Sequence, residues 1–296
     1  MNALHATLVL RDSSALRAPR AAVALAAWAA WVALALALAL ALTPVPAHAG
    51  RNCEAKLPDA ASVQRALELA ERTAKALDAT GAQLVVLARA GQDLSKYRLR
   101  WSHLGLAYRE DPVWRDGVQL PATWRVVHKL NSCGSARADL YRQGLGEFFL
   151  DDLFDYQAAF VVPSVDIQAK LRQLLTDNHR VSTLHTPAYN MVAYPWAQRY
   201  QQSNQWAIET LALSQEGSAT TRERAQAWLR FKGYEPTTLR IGTLTRLGGR
   251  MTAANIAFDD HPSDKRFSDR IETVTVDSVF AWLTRAGLAK PVQTVR

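Results

Sequence analysis

The chain has 296 residues, 49% of them hydrophobic, and a formal net charge of +8. That length exceeds a minimal domain and holds one or two domains with a sizeable core. The basic residues are scattered, as in Arg222, Arg224, Arg230, Lys232 and Arg240. No run of them is interleaved with aromatics, which argues against a nucleic-acid partner.

The first element is Ala21 to Leu42, an almost unbroken Ala/Leu/Val/Trp run. Arg11, Arg17 and Arg20 precede it, and Thr43-Pro44-Val45-Pro46-Ala47-His48-Ala49 follows. A basic region, an apolar region and an Ala-x-Ala site make a signal peptide over residues 1–49, with cleavage expected after Ala49. The alternative is a retained N-terminal membrane anchor, because the run is long enough to span a bilayer. The expected location is periplasmic or secreted. Residues 1–49 hold three Arg and one Asp, which leaves +6 on residues 50–296. A mildly basic exported protein favours anionic wall polymers or lipid headgroups.

Cys53 and Cys133 both follow the cleavage site. An even pair in an oxidising compartment reads as one disulfide, worth about 4 kcal/mol for so long a loop. The alternative is a reactive Cys133 thiol near His128.

Asp59 to Asp78 repeats apolar residues at helical spacing, and Gly81 ends that helix. Gln83 to Ala90 reads as a buried strand. Arg100 to Tyr108 is a second strand, containing His103. Glu110 to Ala122, with Pro112, Gly117 and Pro121, reads as a loop. Thr123 to Leu130 is a third strand, with His128 near its end. The last two strands are expected to pair as an antiparallel hairpin, with the two histidines cross-strand neighbours in one register and on opposite faces after a one-residue slip. Ala136 to Gln143 reads as a helix, Ala158 to Val162 as a strand and Asp166 to Leu175 as a helix. His179 and His185 border a loop and need no special role.

His185 to Tyr200 is irregular and aromatic. Tyr189, Tyr194 and Trp196 there are candidate walls of a pocket. Ser203 reads as the N-cap of a helix running to about Ser214, with Glu209 facing water. A hydroxyl at a helix start facing histidines on a sheet is one way to build an acyl-transfer site. Thr220 to Lys232 is an amphipathic helix with Ala225, Trp228, Leu229 and Phe231 apolar. Tyr234 to Asn255 reads as turn and short strand, and Val274 to Ala286 as the last helix. Asp259-Asp260-His261-Pro262 reads as a carboxylate–histidine turn rather than a metal site. No metal and no cofactor is expected. With no repeat or low-complexity linker, residues 50–296 are expected to form a single α+β domain, an antiparallel sheet packed against helices.

Several short motifs resemble the permuted papain-like hydrolases, which include the lecithin:retinol acyltransferase-like enzymes and permuted NlpC-type peptidases. Ser102-His103-Leu104-Gly105-Leu106 resembles their His-x-Gly strand, and Val127-His128 the polar position on the next strand. Gln202-Ser203-Asn204-Gln205-Trp206-Ala207 resembles the Asn-Cys-Glu-His-Phe-Val helix start. The wider pattern of Cys53, Ser102-His103, His128-Lys129-Leu130-Asn131, Tyr194-Pro195, Asn204-Gln205-Trp206 and Phe258-Asp259-Asp260-His261-Pro262 resembles domain-of-unknown-function family 2145, secreted bacterial proteins. That likeness covers nearly all of residues 50–285; the papain-like one covers about 100–205.

The papain-like resemblance implies a permuted papain-like fold with Ser203, His103 and His128 as catalytic positions. Trp101, Asn204 and Trp206 join Tyr189, Tyr194 and Trp196 as candidate binding residues. Ser203 stands where the resembled enzymes carry cysteine. A histidine holds a thiolate ionised near a helix start; a serine hydroxyl instead needs a base at the moment of attack. Three readings follow. One is a degenerate site that binds a cell-envelope peptide or lipid. Another is a serine acyl hydrolase, amidase or acyltransferase using Ser203 and His103. The third is a structural periplasmic domain with no site.

Overall fold

The computed structural model describes residues 58–296, together with Trp28, Trp31 and Val32. The expected cleavage site and Cys53, and with it the Cys53–Cys133 bridge, lie outside the described residues. Residues 58–296 fall within one compact unit.

Helix α1 (Ala60–Ala79) starts where the Asp59 carboxylate accepts from the Ser62 backbone N–H at 2.8 Å. Its stripe of Ala66, Leu69, Ala70, Thr73 and Leu77 is buried. Gly81 then turns the chain at φ +68°, a conformation glycine adopts without strain. Strand β1 (Leu84–Ala90) is buried along all seven residues. β2 (His103–Glu110) follows. The segment expected to be a loop folds instead into a small hairpin, β3 (Val113–Arg115) and β4 (Val118–Leu120). Asp116 and Gly117 at its tip both take positive φ, an Asp-Gly turn signal that outweighs the flanking prolines.

β5 (Thr123–Asn131) pairs antiparallel with β2, as expected. The expected helix after Cys133 is a strand, β6 (Ala138–Gly144). Its backbone completes the β5 ladder from Arg125 to Asn131, which overrides local helix propensity. Helix α2 (Leu145–Phe149), β7 (Asp155–Val161), α3 (Val165–Thr176) and the short α4 (Asn178–Ser182) come next. Helix α5 (Ser203–Gln215) and α6 (Arg222–Phe231) follow the irregular segment.

The Tyr234–Asn255 stretch holds β8 (Thr237–Arg240) and a helix that sequence reading missed, α7 (Thr243–Thr252). Two mid-helix glycines, Gly248 and Gly249, hide its periodicity. The short α8 (Ser263–Phe267), β9 (Arg270–Thr273), α9 (Val276–Arg285) and β10 (Gln293–Val295) complete the chain.

The main sheet has the order β10-β7-β1-β2-β5-β6, antiparallel throughout. Alternation along each strand sends side chains to two separate cores. Val85, Leu87, Ala107 and Val126 meet Leu69, Phe148 and Phe149 of α1 and α2. Leu84, Val86, Leu104, Leu106 and Val127 meet α3 and α5 through residues such as Leu171, Leu174, Trp206 and Leu211. Phe231, expected on the apolar face of α6, is 82% exposed instead.

Glu209 does not face water. It is fully buried, accepting from Arg222 Nε at 2.8 Å, Gln226 Nε2 at 2.7 Å and Gln201 Nε2 at 2.6 Å. Helix α5 is buried from Ser203 to Ser214, so its polar residues meet protein on every side.

Candidate functional site

One cavity of about 710 Å³ lies at the end of the sheet where β1, β2, β5 and β6 meet the start of α5. Ser203, His103, Trp101, Tyr189 and Asn204 all line it, with Arg89, Gln143 and Gln202. Its far wall is the small apolar cluster of Leu239, Ile241 and Phe258.

The two imidazoles meet because of strand register. β2 and β5 pair Leu106 with Val127, and continuing that ladder sets His103 diagonal to His128 on the same face. His103 Nε2 lies 2.9 Å from His128 Nδ1, and His128 Nε2 lies 2.7 Å from Gln143 Oε1. With the Gln143 oxygen accepting, His128 carries its proton on Nε2 and receives one from His103 Nε2. His103 Nδ1 is then left as a lone-pair acceptor.

Gly105 allows this packing. A Cβ there would lie 2.3 Å from Val126 Cγ1 and 3.1 Å from Phe148 Cε2. Gly105→Ala is expected to cost about 1–3 kcal/mol through overpacking and to displace Phe148 from the imidazoles. Urea unfolding and the histidine ring signals in NMR spectra check this.

Both imidazoles are held neutral. Burial pushes His103 well below the usual histidine range, helped by the charge of Arg89 and by His128. Burial and Arg89 bring His128 down to about 4, against the opposing effects of Gln143 and Asp151. Arg89 is buried, pairs with Asp151 at 2.7 Å, donates to the Phe148 carbonyl and stacks 4.8 Å over the Phe148 ring.

The depressed histidines give stability a pH dependence. In the unfolded chain both take up protons below about 6.5; in the folded chain His128 does so only near 4. Folding stability is therefore complete above about pH 6.5 and falls as pH drops from there toward 4. The slope is at most ~1.4 kcal/mol per pH unit for each histidine. Urea unfolding at pH 7.5, 6 and 5 checks the direction, and His128→Phe is expected to flatten the curve.

The start of α5 is built from buried polar side chains. Its N-cap is Gln202 rather than Ser203: the Gln202 side chain accepts from Asn204 N at 3.3 Å and donates to Thr273 Oγ1 and the Val274 carbonyl. Ser203 is the first helical residue. Burial raises the Tyr189 phenol above its ordinary range, and the nearby Ser203 side chain opposes that rise. Asn204 Oδ1 accepts from the Leu104 backbone N–H at 2.9 Å, which pins α5 to β2. Buried Lys129 donates to the Gln201 carbonyl at 2.9 Å and to the Thr186 carbonyl at 2.6 Å, fixing the approach to Ser203.

Ser203 and His103 both line the cavity, Ser203 from the start of α5 and His103 from the start of β2. Asn204 and the neighbouring turns of α5 pack on the Leu104–Leu106 face of the sheet, whereas the imidazoles lie over Phe148 on the α2 face. The hydrogen bonds formed by the His103 and His128 rings run to each other and to Gln143, not to Ser203.

The remaining residues singled out from sequence lie elsewhere. Trp206 is fully buried in the core beneath α5. Tyr194 stacks on His261 at 5.1 Å, and Trp196 meets Tyr234 at 6.0 Å; neither lines the cavity. His261 joins Asp260 to the Glu272 carbonyl of β9, and Asp260 accepts from the Tyr194 N–H at 2.8 Å. Among the described residues no group of three or more His, Cys, Asp or Glu is placed to hold a metal ion. Cys133 lines the cavity rim.

Sequence reading missed Arg89, Gln143, Gln202 and Lys129. Arg89 carried a signal, a lone charge closing the apolar run Leu84-Val85-Val86-Leu87-Ala88. Gln143 carried none, since its role exists only once β6 pairs with β5.

These features define an α+β protein with a polar-and-apolar cavity at one end of an antiparallel sheet. Residues 76–283 match the model of a bacterial family described as an uncharacterized protein conserved in bacteria (DUF2145), and the chain belongs to that family. No curated protein and no solved structure matches it.

Proposed function

We propose that this is an exported binding protein of permuted papain-like type. Its cavity takes a cell-envelope lipid or peptide with an apolar portion, and Ser203 stands in the cavity wall without acting as a nucleophile. In this reading the signal segment is removed after Ala49 and Cys133 is bridged to Cys53.

The observation that carries the proposal is the partnering of the site's polar groups. His103 Nε2 is engaged by His128 and His128 Nε2 by Gln143, so the imidazole hydrogen bonds run to each other and to Gln143 rather than to Ser203. An imidazole kept neutral by burial and a nearby arginine has little proton affinity to offer an attacking hydroxyl. The cavity volume of about 710 Å³ suits a drug-sized or acyl-bearing ligand.

Filling the cavity tests the reading. Ile256→Trp, which places an indole in the far wall, is expected to weaken binding of a lysophospholipid or an acylated peptide at least about tenfold. Ser203→Ala is expected to change it little. Calorimetric titration distinguishes the two, and equal binding by the Ile256→Trp variant contradicts the proposal.

One observation favours a second reading, an acyl hydrolase. The Gln143–His128–His103 chain leaves His103 Nδ1 as an acceptor, as a general base requires. Covalent labelling of Ser203 by a fluorophosphonate, lost in His103→Ala, would favour it.

A further inference from the structure

Helix α7 covers one side of the cavity with Thr245 and Gly249 and leaves its other side bare. Leu244, Leu247 and Met251 fall on that opposite side at helical spacing and are 85%, 56% and 65% exposed. Phe267 of α8 is also exposed, at 74%. Arg246 joins the two helices by donating to the Arg266 carbonyl at 2.6 Å and pairing with Asp269 at 2.7 Å.

Arginines flank these apolar side chains in sequence: Arg240, Arg250 and Arg270 are exposed and Arg266 is half-buried, with Asp264 of α8 an exposed carboxylate among them. Between Glu235 and Asp259 the chain carries Arg240, Arg246 and Arg250 and no carboxylate. In the β8–β9 ladder Arg240 stands directly opposite Arg270, and both are exposed. Like charges directly opposite on paired strands are destabilising. Among the described residues Arg240, Arg250, Arg266 and Arg270 form no ion pair with a carboxylate. The free arginines and the bare apolar stripe match a surface that is anionic outside and apolar just beneath.

We propose that α7 and α8 form a docking surface for an anionic phospholipid bilayer. Leu244, Leu247, Met251 and Phe267 enter the boundary between headgroups and acyl chains, and the four arginines meet the phosphates. The cavity lies directly behind α7, so a docked molecule sets it against the bilayer. That lipid passes from this surface into the cavity rests on the binding reading above; docking itself does not.

Hydrogen–deuterium exchange on the full chain tests the surface separately from any contact made elsewhere in the molecule. Amides of residues 243–252 and 263–270 are expected to slow about tenfold or more on vesicles containing phosphatidylglycerol, and not on pure phosphatidylcholine. The L244S/L247S/M251S and R240Q/R250Q variants are each expected to remove that slowing, with unchanged thermal unfolding. No slowing on anionic vesicles, or equal slowing in both variants, overturns the proposal. Lysophosphatidylglycerol below its micelle concentration separates the two ideas. If it protects residues 101–105 and 189–204 while vesicles leave 243–252 unprotected, docking fails and the cavity reading stands. If vesicles protect α7 while the cavity stays unprotected with that lipid, docking stands and the cavity reading fails.

Discussion

Glu209→Ala is expected to destabilise the protein by about 3–5 kcal/mol. Glu209 is fully buried and Arg222 nearly so, with their side chains 2.8 Å apart. Arg222 also donates to the carbonyls of Gln198 and Tyr200, and Gln226 and Gln205 donate to Glu209. Removing the carboxylate leaves a guanidinium without its counter-charge inside the fold. Replacing both partners by apolar residues removes that penalty, so Glu209→Leu with Arg222→Met is expected to recover most of the loss. Urea unfolding of the two variants checks both statements. The network ties α6 to the segment before Ser203, so the single substitution is also expected to loosen the cavity wall at Tyr189.

Trp206→Ala is expected to cost about 3–5 kcal/mol, as for other large aromatic truncations in a core. The motif Asn204-Gln205-Trp206 invites a ligand-binding role, yet the indole is fully buried against the sheet and away from the cavity. Its Nε1 is buried without a hydrogen-bond partner. Trp206→Phe, which removes that donor and keeps an aromatic ring, is expected to cost less than half as much. Denaturant midpoints give the order, and ligand affinity extrapolated to the folded state is expected to be the same for all three proteins. A loss of affinity in Trp206→Phe without a loss of stability would put the indole in the site.

The sheet centre and the start of α1 were legible in the sequence because local signals and tertiary demands agree there. Asp59 caps α1, Leu84–Ala90 is apolar throughout, and Thr123–Asn131 pairs with β2 as a hairpin. The proximity of His103 and His128 was also legible, since two strands joined by one connection place them at similar distances from it. What sequence left open was the face. A strand's alternation sends His103 to the α2 side and Leu104 to the α5 side, and a one-residue change of register exchanges them. Edge strand β6 and helix α7 escaped notice for different reasons. β6 owes its form to the β5 ladder, and the Gly248-Gly249 pair of α7 mimics a turn. Glu209 misled because a carboxylate in a helix faces water unless a partner such as Arg222, thirteen residues later, comes to meet it.

The most direct measurement of the central claim is a titration of the wild-type chain and Ser203→Ala with lysophosphatidylglycerol, followed by mass analysis of the recovered lipid. A binding cleft predicts saturable one-site binding in both proteins, affinities within about threefold of each other, and lipid recovered intact. Free fatty acid released by the wild type and not by Ser203→Ala, or no saturable binding by either protein, would contradict it.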